Sequence, residues 1–279
     1  MIQQADLWKR HMGFVQYISI LRIKDWAHLL GLTILGYIYA SGGSIDFIPL
    51  SQGILIGALY LAYGYSLNEY FDRYTTNPLF LPGIALLFAI LLAYSLHWQT
   101  ALIVIFGAIA GFIYSARPFR AKEKRLWGLF CNAFCFAPLF LIGYSTIKNL
   151  DLEAILMAVF IWLIFLPIDL IHQLNDYSQD KEDKIKTCAV SLGIKKTIFL
   201  AVMALLFTLL WAFFLSRCSK ITSLFFFITL FFLSGVLFYL LYRFVKYGND
   251  INGYKIKLRL RYLLIAYGVS LVIIFSHAI

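Results

Sequence analysis

Residues 152–180 of this chain read LEAILMAVFIWLIFLPIDLIHQLNDYSQD, an apolar stretch that ends in a group of acids and amides. A helix over 152–174 would be about 35 Å long, enough to cross the ~30 Å hydrocarbon core of a bilayer. Asp169 lies inside this predicted span, where an ionisable side chain is costly and is therefore a candidate for function. The stretch predicts a membrane-spanning helix that carries polar chemistry towards one end.

The rest of the chain has the same apolar character. Of its 279 residues, 62% are hydrophobic and only 14% are charged, whereas soluble domains have about 45–50% apolar and about 25% charged residues. We therefore predict an all-α polytopic membrane protein of about nine transmembrane helices, forming a single domain over residues 1–279, with an amphipathic segment at 14–24. The predicted spans are 26–41, 50–68, 79–96, 100–116, 127–146, 152–174, 197–216, 222–243 and 258–277.

The basic residues are distributed unevenly between the two sides of this predicted topology. The net charge is +10, and 21 of the 24 Lys and Arg residues fall on the side that holds the N-terminus. The positive-inside rule then predicts a cytoplasmic N-terminus in the cell inner or plasma membrane. Because topology accounts for the basic charge, nucleic acid is excluded as a partner, while membrane lipids and anionic substrates are favoured.

Two polar segments repeat along the chain. NEYFD at 68–72 follows the second predicted span, and NDYSQD at 175–180 follows the sixth, so both fall on the predicted cytoplasmic side. This spacing predicts two pseudo-repeated halves, roughly 14–146 and 147–279. A parallel repeat of this kind is one way to build a central site between two halves of a membrane protein.

The spacing of the acids within these segments indicates a shared helical face in each. Asn68 and Asp72 are four residues apart, and we call them, with Glu69, the first cluster. Asp169, Asp176 and Asp180, spaced by seven and four residues, form the second cluster. Carboxylates gathered in this way repel one another unless a cation joins them, and oxygen ligands suit Mg²⁺ or Ca²⁺, of which Mg²⁺ typically takes one or two carboxylates together with substrate phosphates. The predicted metal ligands are Asn68, Glu69, Asp72, Asp176 and Asp180.

A third segment supplies positive charge on the same predicted side. Residues 114–122 read YSARPFRAK, directly after the fourth predicted span. The positive-inside rule explains most of these charges, but Arg120 and Lys122 are also candidates for holding phosphate oxygens. Arg22, before the first span, is a further candidate of the same kind. Two Mg²⁺ half-sites with such cations between them would suit a diphosphate.

These segments resemble the motifs of the UbiA superfamily of intramembrane prenyltransferases. The resemblance lies in Asn-x-x-x-Asp at 68–72, Tyr-Ser-x-x-Pro-x-x-x-Lys at 114–122 and Asp-x-x-x-Asp at 176–180, in that order along the chain. LRIKDW at 21–26 resembles the family's Arg-Pro-x-x-Trp, and the tail at 184–193 resembles its Gly-x-x-Thr and Val-x-x-Gly. The similarity covers nearly the whole chain and implies a UbiA-like helical bundle.

The resemblance implies Mg²⁺-dependent transfer of a polyprenyl group from its diphosphate to a small or lipid acceptor. It implies a catalytic role for Asp72, Asp176 and Asp180. It also implies that Asp169 orients the acceptor or takes its proton, which favours an aromatic quinone precursor. Aromatic side chains that could face a carbocation include Tyr114 and Phe71. The residues implied in binding the diphosphate or the prenyl group are Arg22, Asn68, Tyr114, Arg120, Lys122 and Asn175.

The chain departs from the family pattern at several positions and leaves other functions open. Thr76 stands where the first motif usually has its last acid, and Lys184 replaces a usual Gly in the second. A transporter or ion carrier also uses intramembrane acids between repeats. A second alternative is another transferase of the same fold, which transfers a phosphoribosyl group or uses a lipid acceptor. A third is a family member without activity that serves as a binding partner.

Overall fold

The computed structural model describes residues 20–73, 80–218, 223–247 and 257–277. These ranges are helical with connecting turns and contain no strand. Most of the predicted amphipathic segment at 14–24, and Thr76, lie outside the described residues. The α-helices are α1 (Ile23–Trp26), α2 (Leu30–Ser41), α3 (Phe47–Arg73), α4 (Phe80–Leu96), α5 (Trp98–Ser115), α6 (Arg125–Phe134), α7 (Ala137–Ser145), α8 (Leu152–Asn175), α9 (Tyr177–Glu182), α10 (Cys188–Leu192), α11 (Ile194–Cys218), α12 (Ser223–Tyr247) and α13 (Lys257–His277).

Helix length and composition identify an integral membrane protein. Within the described ranges, five helical stretches are long and apolar enough to cross a membrane, and three shorter helices are also apolar. The five are Phe47–Asp72, Trp98–Ser115, Arg125–Ser145, Leu152–Asn175 and Ile194–Arg217. The prediction of an all-α polytopic membrane protein is confirmed, whereas the number of nine transmembrane helices stays a prediction.

The helices pack as a ring that follows the order of the chain. Helix α2 packs on α3, α5 packs on α6 and α7, and α8 packs on α11. The last helix, α13, closes the ring by packing against α2, while α4 packs on the outside against α3 and α5. This arrangement leaves the polar ends of α3, α5 and α8 around a common centre.

Helix α8 contains a proline, Pro167, shortly before its acidic end. Pro167 lacks a backbone N–H, so the carbonyl of Leu163 loses its intrahelical donor. The hydroxyl of Thr208 on α11 donates to that carbonyl over 3.1 Å. Replacement of the missing bond by a neighbouring helix is what allows a proline inside a membrane helix. At the other end, Asp151 caps α8 by accepting from the N–H of Ala154 over 2.8 Å.

The predicted span 127–146 agrees with the apolar stretch Arg125–Ser145, which is long enough to cross a membrane, although it is not one continuous helix. It is divided into α6 and α7 at Cys135 and Phe136, just before Pro138. The carbonyl of Cys135 accepts a hydrogen bond from the Tyr60 hydroxyl over 2.9 Å, which satisfies the backbone at the break. Non-helical backbone at membrane depth is tolerated where protein buries it or it lines a cavity. Cys135 and Phe136 line a polar cavity, whereas Phe134 lines a separate apolar one of about 420 Å³.

Two glycines allow α2 and α7 to approach backbone to backbone. A Cβ on Gly143 would meet the carbonyl of Thr33, and one on Gly36 would meet the carbonyl of Phe140. Small residues at such crossings are the usual means of close helix packing in membranes, where apolar burial between helices contributes little. This contact ties α7, and with it the break beside the cavity, to the first long helix of the ring.

Replacing Gly143 by alanine should force the α2 backbone away and destabilise the protein by about 1–3 kcal/mol. The expected result is a lower midpoint of thermal unfolding in detergent. Gly31→Ala on α2 is the matched control, because nothing lies within 4 Å of a Cβ at Gly31 and alanine is the better helix former. Equal midpoints for the two variants would contradict close packing at this crossing.

Candidate active site

The ends of α3, α5 and α8 surround a polar cavity of about 730 Å³. It also receives side chains from α6, from the turn after α5 and from the segment that follows α8. The cavity contains residues from both predicted clusters and from the basic segment between them. The predicted site residues that line it are Arg22, Asn68, Asp72, Tyr114, Arg120, Lys122, Asp169, Asp176 and Asp180. Glu69 and Asn175 are not among the residues that line it.

The side chain of Lys122 pairs with the first cluster. Its ammonium group contacts Oδ1 of Asp72 directly and lies 3.0 Å from Oδ1 of Asn68. The hydroxyl of Ser115 donates to the same Asn68 oxygen over 3.3 Å. Asn68 and Asp72 present these oxygens together because they are one helical turn apart on α3.

Arg120 lies in the turn that carries Lys122 and bonds this turn to the end of α3. One guanidinium nitrogen donates to the carbonyl of Phe71 over 3.1 Å, and the other lies 3.4 Å from Asp72 Oδ1. Its Nε pairs with Glu123. Arg120 has a φ of 38°, in the left-handed region that is unfavourable for a residue with a side chain. The contacts of the guanidinium group with Phe71, Asp72 and Glu123 hold the backbone of Arg120 in this unfavourable conformation.

Glu69 lies behind the cavity rather than in it. It is 8% exposed, and its carboxylate is 3.6 Å from Nη1 of Arg22. Arg22 also pairs with Asp25 over 2.8 Å and stacks over the ring of Tyr65. On a helix Glu69 is rotated by about 100° from Asn68, so it faces α1 instead of the cavity. The structure therefore places Glu69 as a partner of Arg22, away from the predicted metal ligands.

The second cluster holds its carboxylates close together at the end of α8. Asp176 Oδ2 is 3.0 Å from Nδ1 of His172, one turn earlier. Burial, and then the negative charge of Asp176, raise the pKa of Asp180 to about 6, against a hydrogen bond from Thr187 that lowers it. Both raising effects disfavour the ionised form. A cation placed between the two carboxylates would relieve this repulsion.

The chain turns back towards the second cluster at Lys184. The N–H of Ile185 donates to the carbonyl of Asp180 over 2.8 Å, and the N–H of Lys184 donates to that of Lys181 over 3.3 Å. This pair of bonds is the Schellman ending of a helix, which needs a left-handed residue. Lys184, at a φ of 57°, is that residue. The turn brings Ile185 and Thr187 to the cavity wall beside Asp180.

Asp169 is held by two amide side chains. The Asn132 amide of α6 donates to Oδ1 over 2.7 Å, and the Gln173 amide donates to Oδ2 over 3.0 Å. The Gln173 oxygen in turn accepts from the N–H of Ala189 over 3.4 Å. The sequence analysis gave Asn132 no role, although a polar residue in the apolar run 126–142 was an available signal. Gln173 shares the face of Asp169, four residues on.

Several tyrosines complete the cavity wall. Tyr114 lines it as predicted, whereas Phe71 packs edge-on against Tyr70 and Phe112 and is not in the lining. Tyr60, Tyr63 and Tyr65 also line the cavity and were not predicted. All three project from the same helix as the first cluster. Their spacing along a membrane helix resembles ordinary core packing, so the sequence alone did not distinguish them.

The charges on the cavity wall are divided between two sides. The cationic side chains, which belong to the residue before α1 and to the turn after α5, are Arg22, Arg120 and Lys122. The carboxylates are Asp72, Glu123, Asp169, Asp176, Asp180 and Asp183. Four of these six, from Asp169 onwards, lie on α8 and the segment after it.

The described residues contain no group of three or more His, Cys, Asp or Glu side chains placed to hold a metal ion by themselves. Mg²⁺ typically takes one or two carboxylates and completes its coordination with water and substrate phosphates. Since carboxylates outnumber cationic groups on the wall, a polyanionic ligand needs an added cation to enter. The donor set therefore suits an anion that arrives together with a divalent ion.

The fold and cavity define a helical membrane protein with a site for a polyanion and a divalent cation at one end of the bundle. Residues 79–265 match the model of the UbiA prenyltransferase family. The chain belongs to this family, which confirms the resemblance.

Solved structures of related fold agree with this assignment. A UbiA homologue from Archaeoglobus fulgidus, in a structure described as bound to GPP and Mg²⁺, has a TM-score of 0.70 over 92% of this chain and 99% of that one, at 17% identity. A structure of digeranylgeranylglyceryl phosphate synthase has a TM-score of 0.74 over 93% of this chain and 97% of that one, at 15% identity. At these identities the likeness establishes the fold.

A curated relative is the 1,4-dihydroxy-2-naphthoate octaprenyltransferase of Bacillus subtilis strain 168. It is 25% identical over 131 residues, which are 46% of this chain and 42% of that protein. The match thus spans less than half the length of the relative.

The left-handed residue at Lys184 leads to a stability prediction. Lys184→Gly should stabilise the protein by about 1 kcal/mol, because glycine adopts this backbone conformation without the strain that a side chain adds. Lys181→Gly, inside α9, should instead lower stability by about 0.5–1 kcal/mol. Thermal unfolding in detergent measures both variants. If Lys184→Gly lowers the midpoint as much as Lys181→Gly does, the helix does not end in this way.

Proposed function

We propose that this protein transfers a polyprenyl group from its diphosphate to an acceptor within the membrane, in a Mg²⁺-dependent reaction. The observation that carries the proposal is the single cavity in which the carboxylates of α8 and α9 face Arg120 and Lys122 of the turn after α5. The likeness to a UbiA homologue described as bound to GPP and Mg²⁺ supports it.

The protein's own groups would act on the diphosphate from opposite sides. Arg22, Arg120 and Lys122 donate charge-assisted hydrogen bonds to its oxygens and stabilise the charge that develops as the C–O bond breaks. Asp176 and Asp180 would hold Mg²⁺, which supplies Lewis-acid stabilisation of the leaving group when bound. Asn68 and Asp72, the other predicted ligands, present their oxygens to Lys122.

The tyrosines of α3 and α5 would face the allylic group. Tyr60 and Tyr63 are fixed by hydrogen bonds from their hydroxyls to the carbonyls of Cys135 and Ala108, over 2.9 Å and 3.0 Å. Their rings therefore keep a set orientation at the wall. The face of an aromatic ring attracts a cation, which suits stabilisation of a prenyl carbocation.

Asp169 is the proposed acceptor-binding residue, and the acceptor we favour is an aromatic quinone precursor. Asn132 and Gln173 donate to both of its oxygens and so hold the carboxylate at a fixed angle in the cavity. A carboxylate placed in this way can accept the proton of a phenolic hydroxyl. The name of the Bacillus subtilis relative, a dihydroxynaphthoate prenyltransferase, supports an aromatic acceptor.

We infer that the cavity opens towards the cytoplasmic side of the cell inner or plasma membrane. The support is the excess of Lys and Arg in the loops on the side that carries both clusters. Two observations weigh against a transporter or ion carrier. The acids gather at one end of the bundle, and the cavity pairs them with Arg120 and Lys122, which would repel a transported cation.

An assay with purified protein tests the proposed reaction. Labelled polyprenyl diphosphate and Mg²⁺ should yield a prenylated product with at least one member of a panel of hydroxybenzoate, dihydroxynaphthoate and glycerophosphate-lipid acceptors. EDTA should abolish the product, and added Mg²⁺ should restore it. Diphosphate release that does not depend on Mg²⁺, or the absence of product with every acceptor, would count against prenyl transfer.

Asp169→Asn tests the acceptor role separately from diphosphate binding. Loss of a positioned proton acceptor should lower kcat by about 10²–10⁴-fold, while binding of the prenyl diphosphate, measured by calorimetry with Mg²⁺, stays within about twofold. Asp176→Asn should instead weaken that binding. Full turnover in Asp169→Asn, alongside inactive Asp72→Asn and Asp176→Asn variants, would remove Asp169 from the mechanism.

A further inference from the structure

The first cluster already contains a cation, and that cation belongs to the protein. The two oxygens that the sequence analysis predicts as metal ligands, Oδ1 of Asn68 and Oδ1 of Asp72, converge on the ammonium group of Lys122. An ammonium group carries three donors and one positive charge. Two of the donors are directed to these oxygens, which leaves one for a ligand in the cavity that Lys122 lines.

The position of Lys122 is set by packing rather than by a flexible surface loop. Its side chain is 12% exposed, and it belongs to the 3-10 turn Ala121–Glu123. Gly128 of α6 allows this turn to pack closely, because a Cβ there would lie 2.9 Å from the Cα of Lys122. Arg120, which bonds the carbonyl of Phe71, fastens the same turn to α3. The ammonium group is therefore delivered to the first cluster by the fold.

The two sides of the cavity also differ in their balance of positive and negative side chains. On the side of the first cluster, Arg120 and Lys122 face the lining carboxylates Asp72 and Glu123, while the third cation, Arg22, is paired with Asp25 and Glu69. On the opposite side four carboxylates line the wall, with His172 beside them. Among the described side chains that line the cavity, the second side has the marked excess of negative charge that calls for a divalent ion. The first side is balanced by its own Lys and Arg residues.

We propose that the ammonium group of Lys122 is the resident cation of the first cluster. The protein then binds one divalent ion with the diphosphate, on Asp176 and Asp180, instead of one ion on each cluster. Asp72 acts as a positioning residue that holds Lys122 and Arg120. Thr76, where the motif usually has a further acid, is consistent with a first cluster that does not coordinate an ion. This inference rests on the proposed function, because it assumes a diphosphate ligand.

Counting bound Mn²⁺ in the presence of an unreactive substrate tests this assignment. The probe is geranyl thiolodiphosphate, in which sulfur replaces the ester oxygen, and electron paramagnetic resonance counts the Mn²⁺ retained per chain. The wild type should retain one ion. Lys122→Met removes the ammonium group at similar length, so Asn68 and Asp72 become available and the count should rise to two. Lys124→Met, which removes a nearby cation outside the cavity lining, should retain one.

Carboxamide variants give a second measurement that does not require a new site to form. Asp72→Asn should leave the count at one, whereas Asp176→Asn should reduce it to less than half an ion per chain at the same Mn²⁺ concentration. Two ions in the wild type, a loss of Mn²⁺ in Asp72→Asn, or a count of one in Lys122→Met would overturn the role of Lys122. None of these results would contradict the proposed prenyl transfer, provided that the analogue binds. An analogue that fails to bind at any Mn²⁺ concentration would overturn the proposed function itself.

Discussion

Inside a bilayer a polar group has no water to bond, so each one needs a partner from the protein. Three points of the bundle show how this requirement is met. The carbonyl freed by Pro167 is taken by Thr208, and the carbonyl at the break between α6 and α7 is taken by Tyr60. Asp169 is held by the amides of Asn132 and Gln173. The same bonds that satisfy these groups also direct α6 and α8 around the cavity.

Close packing on the other side of the ring complements these bonds. Where α2 and α7 cross, glycines let the two backbones pack closely. This contact holds α7 in the bundle even though the chain breaks between α6 and α7. A close, buried helix crossing and a break in the helix at the cavity wall are therefore parts of one arrangement.

The chemistry of the cavity follows from a separation of charge within it. Positive groups come from Arg22, just before α1, and from the turn after α5, and most of the carboxylates come from α8 and the segment that follows it. A ligand that carries several negative charges would be held directly by the first group and through a divalent ion by the second. The division gives the two acidic motifs different partners in the cavity. Lys122 contacts Asn68 and Asp72 of the first motif, whereas Asp176 of the second motif lies beside His172.

The sequence by itself determined the membrane class, the helical fold and the family resemblance. Long apolar runs have few alternatives in lipid, and Asp176 and Asp180 share a helical face through spacing alone. Tertiary structure decided which polar atoms meet across helices. It placed Glu69 beside Arg22, brought Asn132 to Asp169 and directed Lys122 at Asp72. Local spacing governs neighbours on one helix, whereas contacts between helices depend on packing, kinks and breaks that a linear pattern does not encode.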